Sequence, residues 1–165
     1  MIHDRAVPGG PTGLARPQPG GAACHDLRTV SLDDTIRALL STPRTWAVVG
    51  CSPDPGRDSH RIARLLLERG NRVIPVNPAA DEILGQRCHA RLADLDEPVD
   101  VVDIFRRASA AGAHVDEAIA MGAPAVWMQL GVIDEAAAAR AQAAGLDVVM
   151  NRCPAIEVRR LGLAA

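Results

Sequence analysis

The residues able to do chemistry fall in a few short stretches. The richest is Gly50-Cys51-Ser52-Pro53-Asp54-Pro55-Gly56-Arg57-Asp58-Ser59, followed by His60. A glycine-bearing turn opening a helix aims backbone amides and the positive end of the helix dipole at one point, which makes an anion site. Ser52 and Ser59 add hydroxyls, Ser59 doubling as the expected N-cap, and Arg57 offers a guanidinium fork matched to phosphate. Phe105-Arg106-Arg107 brings an aromatic face and two guanidinium groups, and Gln129-Leu130-Gly131 has a glycine that permits close backbone approach. Asn151-Arg152-Cys153 and Val76-Asn77-Pro78 complete the set, with Glu157 available to pair with Arg152.

Other chemistries lack their parts. The dinucleotide fingerprint G-x-G-x-x-G is absent, and Asn77-Pro78 stands where ribose recognition by a nicotinamide enzyme places an acid. All 18 basic residues are arginine and no tyrosine occurs, which excludes a P-loop lysine, a Schiff base and a tyrosine–lysine dehydrogenase pair. Cys51 and Cys153 fall in the mapped loops, yet His60 is the one histidine there and no acid is placed to orient it, so both read as buried, inert thiols. The pairs Cys24-His25 and Cys88-His89 have no further ligands at metal spacing, so no metal is expected.

These stretches need a scaffold, and the rest of the 165 residues supplies one. Hydrophobic residues make up 48% and aromatics 2% (Trp46, Phe105, Trp127), so the core is aliphatic. With 18 basic against 20 acidic side chains the net charge is -2, and no basic run is interleaved with stacking rings, which argues against a nucleic-acid surface. No apolar run approaches the ~18 residues of a membrane span, and there is no charged-then-apolar leader. A cytoplasmic protein without membrane contact is expected. Residues 1–25, rich in proline and glycine, read as a disordered tail before one domain over 26–165.

Short apolar runs at Trp46 to Val49, Val73 to Val76, Val99 to Ile104, Ala125 to Met128 and Asp147 to Met150 suit strands covered on both faces. Helices are expected over Leu32 to Leu40 behind an N-cap at Ser31, over Ser59 to Arg69, weakly over Ala79 to Leu84, over Val115 to Met121, over Glu135 to Ala144, and from Pro154 onward. Repeated βα units give an α/β fold: a Rossmann-like, doubly wound sheet of five mostly parallel strands in the order 3-2-1-4-5. Pro75 sits awkwardly inside the second strand, where it removes a ladder donor. In such a sheet ligands bind outside the strands' carboxyl ends, where these loops gather.

Taken in order, W-A-V-V-G-C-S-P-D-P-G-R-D-S-H-R-I-A, V-I-P-V-N-P, L-G, V-D-V-V-D-I-F-R-R, V-W-M-Q-L-G and M-N-R-C-P resemble the small stand-alone CoA-binding proteins, which are similar to the CoA-binding domain of the succinyl-CoA synthetase α-chain. The resemblance covers roughly residues 30–162. It implies CoA or acyl-CoA as ligand, phosphates held by Gly50 to Ser59, a nucleotide near Asn77 and Pro78, and a groove continued by Phe105, Arg106 and Gln129, with Gly131 beside it. It implies no reaction, because the synthetase's nucleotide-grasp domain and phosphorylatable histidine segment have no counterpart here, and His114 does not replace the latter. A non-enzymatic carrier or sensor is expected. The rival readings are an NAD(P)-binding oxidoreductase-like protein, a cysteine-dependent CoA thiol/disulfide enzyme, and a protein-binding scaffold, with any partner or oligomer left open.

Overall fold

In the computed structural model, which describes residues 30–163, the apolar runs become parallel strands. In chain order the elements are α1 (Leu32–Ser41), β1 (Thr45–Val49), α2 (Asp58–Glu68), β2 (Arg72–Val76), a hairpin of β3 (Glu82–Ile83) and β4 (Gln86–Arg87), and a 3-10 turn at Leu92–Asp94. Then follow β5 (Val101–Ile104), α3 (Ala108–Ala120), β6 (Ala125–Met128), α4 (Glu135–Ala143), β7 (Asp147–Val149) and α5 (Pro154–Arg160). The α/β, Rossmann-like character expected from the sequence holds. The tail expected over residues 1–25 lies outside the described residues.

The five-stranded sheet runs β2-β1-β5-β6-β7, with every neighbouring pair parallel. Counting its strands along the chain, the order is 2-1-3-4-5 and not the expected 3-2-1-4-5. Pro75 supplies the physical reason. A proline inside a strand is tolerated where its missing N–H faces a sheet edge, and the expected order would have buried β2 between two neighbours. The outer side of β2 instead meets a single bridge: His89 N–H donates to Pro75 O at 3.0 Å, and Asn77 N–H donates to His89 O at 2.8 Å.

Alternation along the strands builds a core on each face. Trp46, Val48, Val101 and Trp127 look toward Ile36 and Leu39 of α1 and Ile62, Ala63 and Leu66 of α2, with Val158 of α5 packed alongside. The two indoles meet tilted, centroids 5.8 Å apart, an arrangement favoured by the ring quadrupoles. Ala47, Val49, Val102, Ile104 and Met128 look the other way, onto Ala111, Val115 and Ala118 of α3 and Ala137, Ala138 and Ala141 of α4. Ser31 caps α1 in a reciprocal capping box with Asp34.

Three local expectations are corrected. Ala79 to Leu84 is not helical: Leu84 (φ 54°) and Gly85 (φ 71°) form the two left-handed positions of a tight hairpin turn between β3 and β4. Helix α3 starts at Ala108, seven residues before Val115, because an alanine-rich stretch propagates helix without an apolar stripe to announce it. Helix α2 begins at Asp58, with Arg57 and not Ser59 at its N-cap.

Candidate functional site

Strands β1 and β5 are neighbours, yet the loop after β1 leads to α2 on one face and the loop after β5 leads to α3 on the other. That divergence opens a crevice at the carboxyl edge of the sheet, the usual ligand position in open α/β folds. Gly50 is its floor. The residue has φ +79°, and a Cβ there would stand 2.6 Å from Phe105 O and 3.0 Å from Arg106 Cδ. Only glycine lets the two loops approach this closely.

The loop from Gly50 to His60 is held by its own hydrogen bonds. Gly56 N–H donates to Asp54 Oδ1 (2.8 Å) and Arg57 N–H to Asp54 O (3.0 Å), folding the double-proline segment back toward α2. Ser52 N–H donates to Ser59 Oγ at 3.1 Å, and His60 Nδ1 lies 3.0 Å from Ser52 O, so the buried Ser59 and His60 lock the loop to the first turn of the helix. Arg57 gives α2 no side-chain cap, and the amides of Asp58, Ser59 and His60 have no protein acceptor among the described residues. Asp58 and Ser59 border a cavity of about 340 Å³, lined also by Gly50, Ser52, Arg57 and Phe105. Open first-turn amides beside an exposed arginine with no ion pair among the described residues are the donor set an anionic phosphate requires.

Asn77 works as a joint. Its Nδ2 donates to Cys51 O at 2.7 Å and its Oδ1 accepts from Ala79 N–H at 2.9 Å, tying the end of β2 to the loop after β1. Cys51 is fully buried, and that burial pushes its thiol up to about 12. Beside this joint, on the α3 side, Gly50, Pro78, Arg91, Arg106, His114 and Glu117 line a cavity of about 140 Å³. His114 Nδ1 lies 2.8 Å from Glu117 Oε2, and Arg91 is paired with Asp94 at 2.7 Å. Arg106 is exposed and has no ion pair among the described residues.

On the α2 and α5 side, Phe105, Gln129, Leu130 and Cys153 meet Ile62, Leu65 and Arg159 around a cleft of about 480 Å³. Gln129 is buried and donates Nε2–H to Asp103 Oδ1 at 2.7 Å. Asp103 is fully buried, and its Oδ2 has no partner among the described residues. Burial holds its carboxyl up at about 8, against the opposing pull of the Gln129 hydrogen bond. Gly131 (φ +77°) donates its N–H to Asn151 Oδ1 at 2.9 Å, clamping the loop after β6 to the loop after β7. Arg152 lies 3.9 Å from the buried Glu157, the pairing expected from the sequence. Cys153, expected to be buried, is instead half-buried and lines the cleft.

Of the sequence-nominated residues, Gly50, Ser52, Arg57, Ser59 and Phe105 border one cavity, Pro78 and Arg106 the second, and Gln129 the cleft. Cys51, His60 and Asn77 support these walls from behind. Asp103 and Glu117 went unsingled in the sequence, and His114 was weighed there only against a phosphorylatable histidine. Asp103 had a signal, a lone acid in the apolar strand Val101-Val102-Asp103-Ile104.

Residues 44–159 match the family model described as CoA binding domain. The chain belongs to this family. The CoA binding domain here is 35% identical over 118 residues to the uncharacterized protein YneT of Bacillus subtilis, covering 72% of this chain and 87% of that one. It is similar to a hypothetical protein from Pyrococcus horikoshii OT3, with 35% identity, TM-score 0.74, and coverage of 91% of this chain and 99% of the other. It also resembles part of the dinucleotide-forming acetyl-coenzyme A synthetase 1 of Ca. Korarchaeum cryptofilum, at 28% identity and TM-score 0.61. That match covers 72% of this chain and 28% of the synthetase, so the CoA binding domain spans about a quarter of that protein. Among the described residues of the domain no helix is long and apolar enough to cross a membrane, and no group of three or more His, Cys, Asp or Glu could hold a metal ion.

Proposed function

We propose that this chain binds CoA or an acyl-CoA across the crevice between β1 and β5, as a carrier or sensor without enzymatic turnover. The observation that carries the reading is the pair of exposed arginines without ion pairs among the described residues, Arg57 and Arg106, flanking Gly50 and the open amides of α2, in a chain with a CoA binding domain over residues 44–159. CoA offers a pyrophosphate and a 3′-phosphate, and these donors complement them without any lysine. In this reading the pyrophosphate sits on the amides of Asp58 to His60, the nucleotide lies toward Asn77 and Pro78, and the pantetheine arm follows Phe105 toward Gln129. The protein would act in the cytoplasm, through one domain over residues 26–165.

Calorimetry with CoA, dephospho-CoA, NAD and ADP tests the ligand. CoA should bind tightest, and dephospho-CoA more weakly through loss of the 3′-phosphate. Tighter binding of NAD than of CoA would replace this reading with the oxidoreductase-like one. Incubating the protein with acyl-CoAs and following free thiol by mass spectrometry tests the absence of turnover, and release of CoA lost with a cysteine substitution would make the protein an enzyme.

A further inference from the structure

The 480 Å³ cleft contains more than a wall for the pantetheine arm. Gln129 is 5% exposed, its Nε2 is held by Asp103, and its Oε1 has no protein partner among the described residues. That carbonyl oxygen is open to the cleft as a free acceptor, and the amide N–H groups of a pantetheine arm supply a donor for it. Cys153 lines the same space. Asp58 and Phe105 border both this cleft and the 340 Å³ phosphate cavity, so an arm anchored at the open amides of α2 passes Phe105 into the space that Cys153 faces. The other described thiols are placed differently. Cys51 is fully buried beneath the loop, and Cys88 donates Sγ–H to Asn77 O at 3.5 Å on the far side of β2 and lines none of these cavities.

The geometry points to Cys153 as a disulfide-exchange site for CoA disulfides, an inference that rests on the CoA-binding reading and adds a chemical step to it. The Cys153 thiol gives its proton to solvent and its sulfur attacks one sulfur of the bound CoA disulfide. That S–S bond breaks, a protein–CoA disulfide forms, and the second CoA leaves as a thiolate that takes up a proton. Cys153 is oxidised and one half of the CoA disulfide is reduced, so no other oxidant enters. The product is a chain whose crevice is occupied covalently until a thiol reverses the exchange, which ties CoA occupancy to the thiol–disulfide state of the surroundings.

The test uses the full chain, reduced and freed of reductant, mixed separately with CoA disulfide and glutathione disulfide while intact mass is followed and the modified residue is mapped. A single CoA adduct on Cys153 is expected, forming about tenfold or more faster than the glutathione adduct because the crevice raises the local concentration of the reagent. Excess ADP should slow it, and Cys153→Ser should abolish it. Equal rates with both disulfides, indifference to ADP, or an adduct on Cys24, Cys51 or Cys88 instead would overturn the assignment. Calorimetry of the wild-type protein with CoA under reductant separates this from the underlying reading. Binding there without the adduct defeats the exchange site alone, and no CoA binding at all defeats both.

Discussion

At the residue scale, the crevice depends on a hydrogen atom where every other residue has a carbon. Replacing Gly50 by alanine puts a Cβ 2.6 Å from Phe105 O at a left-handed φ, so the loops must part. Gly50→Ala should lower stability by roughly 1–3 kcal/mol and weaken CoA binding, read by denaturant unfolding and calorimetry. Arg57 acts through charge, with no ion pair to lose among the described residues. Arg57→Ala should therefore leave stability near wild type while costing about 1.5–3 kcal/mol of CoA affinity, more than Cys153→Ala costs under reductant. The reverse order would shift the main binding energy to the thiol end. Asp103 gives a pH signature. Its carboxyl is raised from 3.8 to about 8 by burial, so between those values the native protein keeps a proton that the unfolded chain has released. Stability must then fall as pH rises through that window, by up to about 1.4 kcal/mol per unit, and level off above it. The surface carboxylates of Asp33, Asp94 and the half-buried Glu97 are shifted the opposite way by Arg160, Arg91 and Arg72 and act only on the acid side. Asp103→Asn keeps an acceptor for Gln129 and should remove the descent; parallel stability curves for the two proteins from pH ~5 to ~8 would assign the descent to another group.

At the scale of elements, what the sequence disclosed followed from how far each signal reaches. Strands buried on both faces announce themselves through uninterrupted β-branched runs, and α2, α4 and α5 through a following glycine or a leading proline, because those preferences are local. Strand order is not local, and the one residue that encoded it was read as a flaw: Pro75 makes β2 an edge strand. The Leu84-Gly85 turn was hidden because leucine rarely takes positive φ. The loop from Gly50 to Ser59 stood out as a candidate site from its residue types, but the division of labour around it did not, since Ser59, His60 and Asn77 spend polar atoms on the protein. Asn77 joins β2, the loop after β1 and the strand-like segment at His89 with one side chain and its backbone. Asn77→Ala leaves Cys51 O and Ala79 N–H without their partner, so a loss of about 1–3 kcal/mol is expected. CoA binding should weaken with it. Hydrogen exchange would show the effect as faster exchange in residues 50–59 and 77–89 together, and a change confined to one segment would refute the joint.

At the scale of the whole molecule, charge and stability meet in the ligand. The chain carries a net charge of -2, so at long range it does not attract an anion such as CoA, and the attraction must come from the crevice itself, within about one Debye length of Arg57 and Arg106. Ligand that binds the native state alone stabilises it by mass action, about 2.7 kcal/mol at a hundredfold excess over the dissociation constant. For a domain of this size that corresponds to an upward shift in Tm of roughly 5–11 °C, at about 2–4 °C per kcal/mol. Because the two guanidinium groups are exposed, added salt should shrink the shift from CoA by screening them. Pantetheine, which has the arm without the phosphates, should give a small shift that salt leaves unchanged. Arg57→Ala should bring the CoA response toward that of pantetheine, since one arginine then remains beside the open amides of α2. Equal shifts from CoA and pantetheine, both insensitive to salt, would mean that the cleft at Gln129 does the binding and that the loop from Gly50 to Ser59 holds no phosphate.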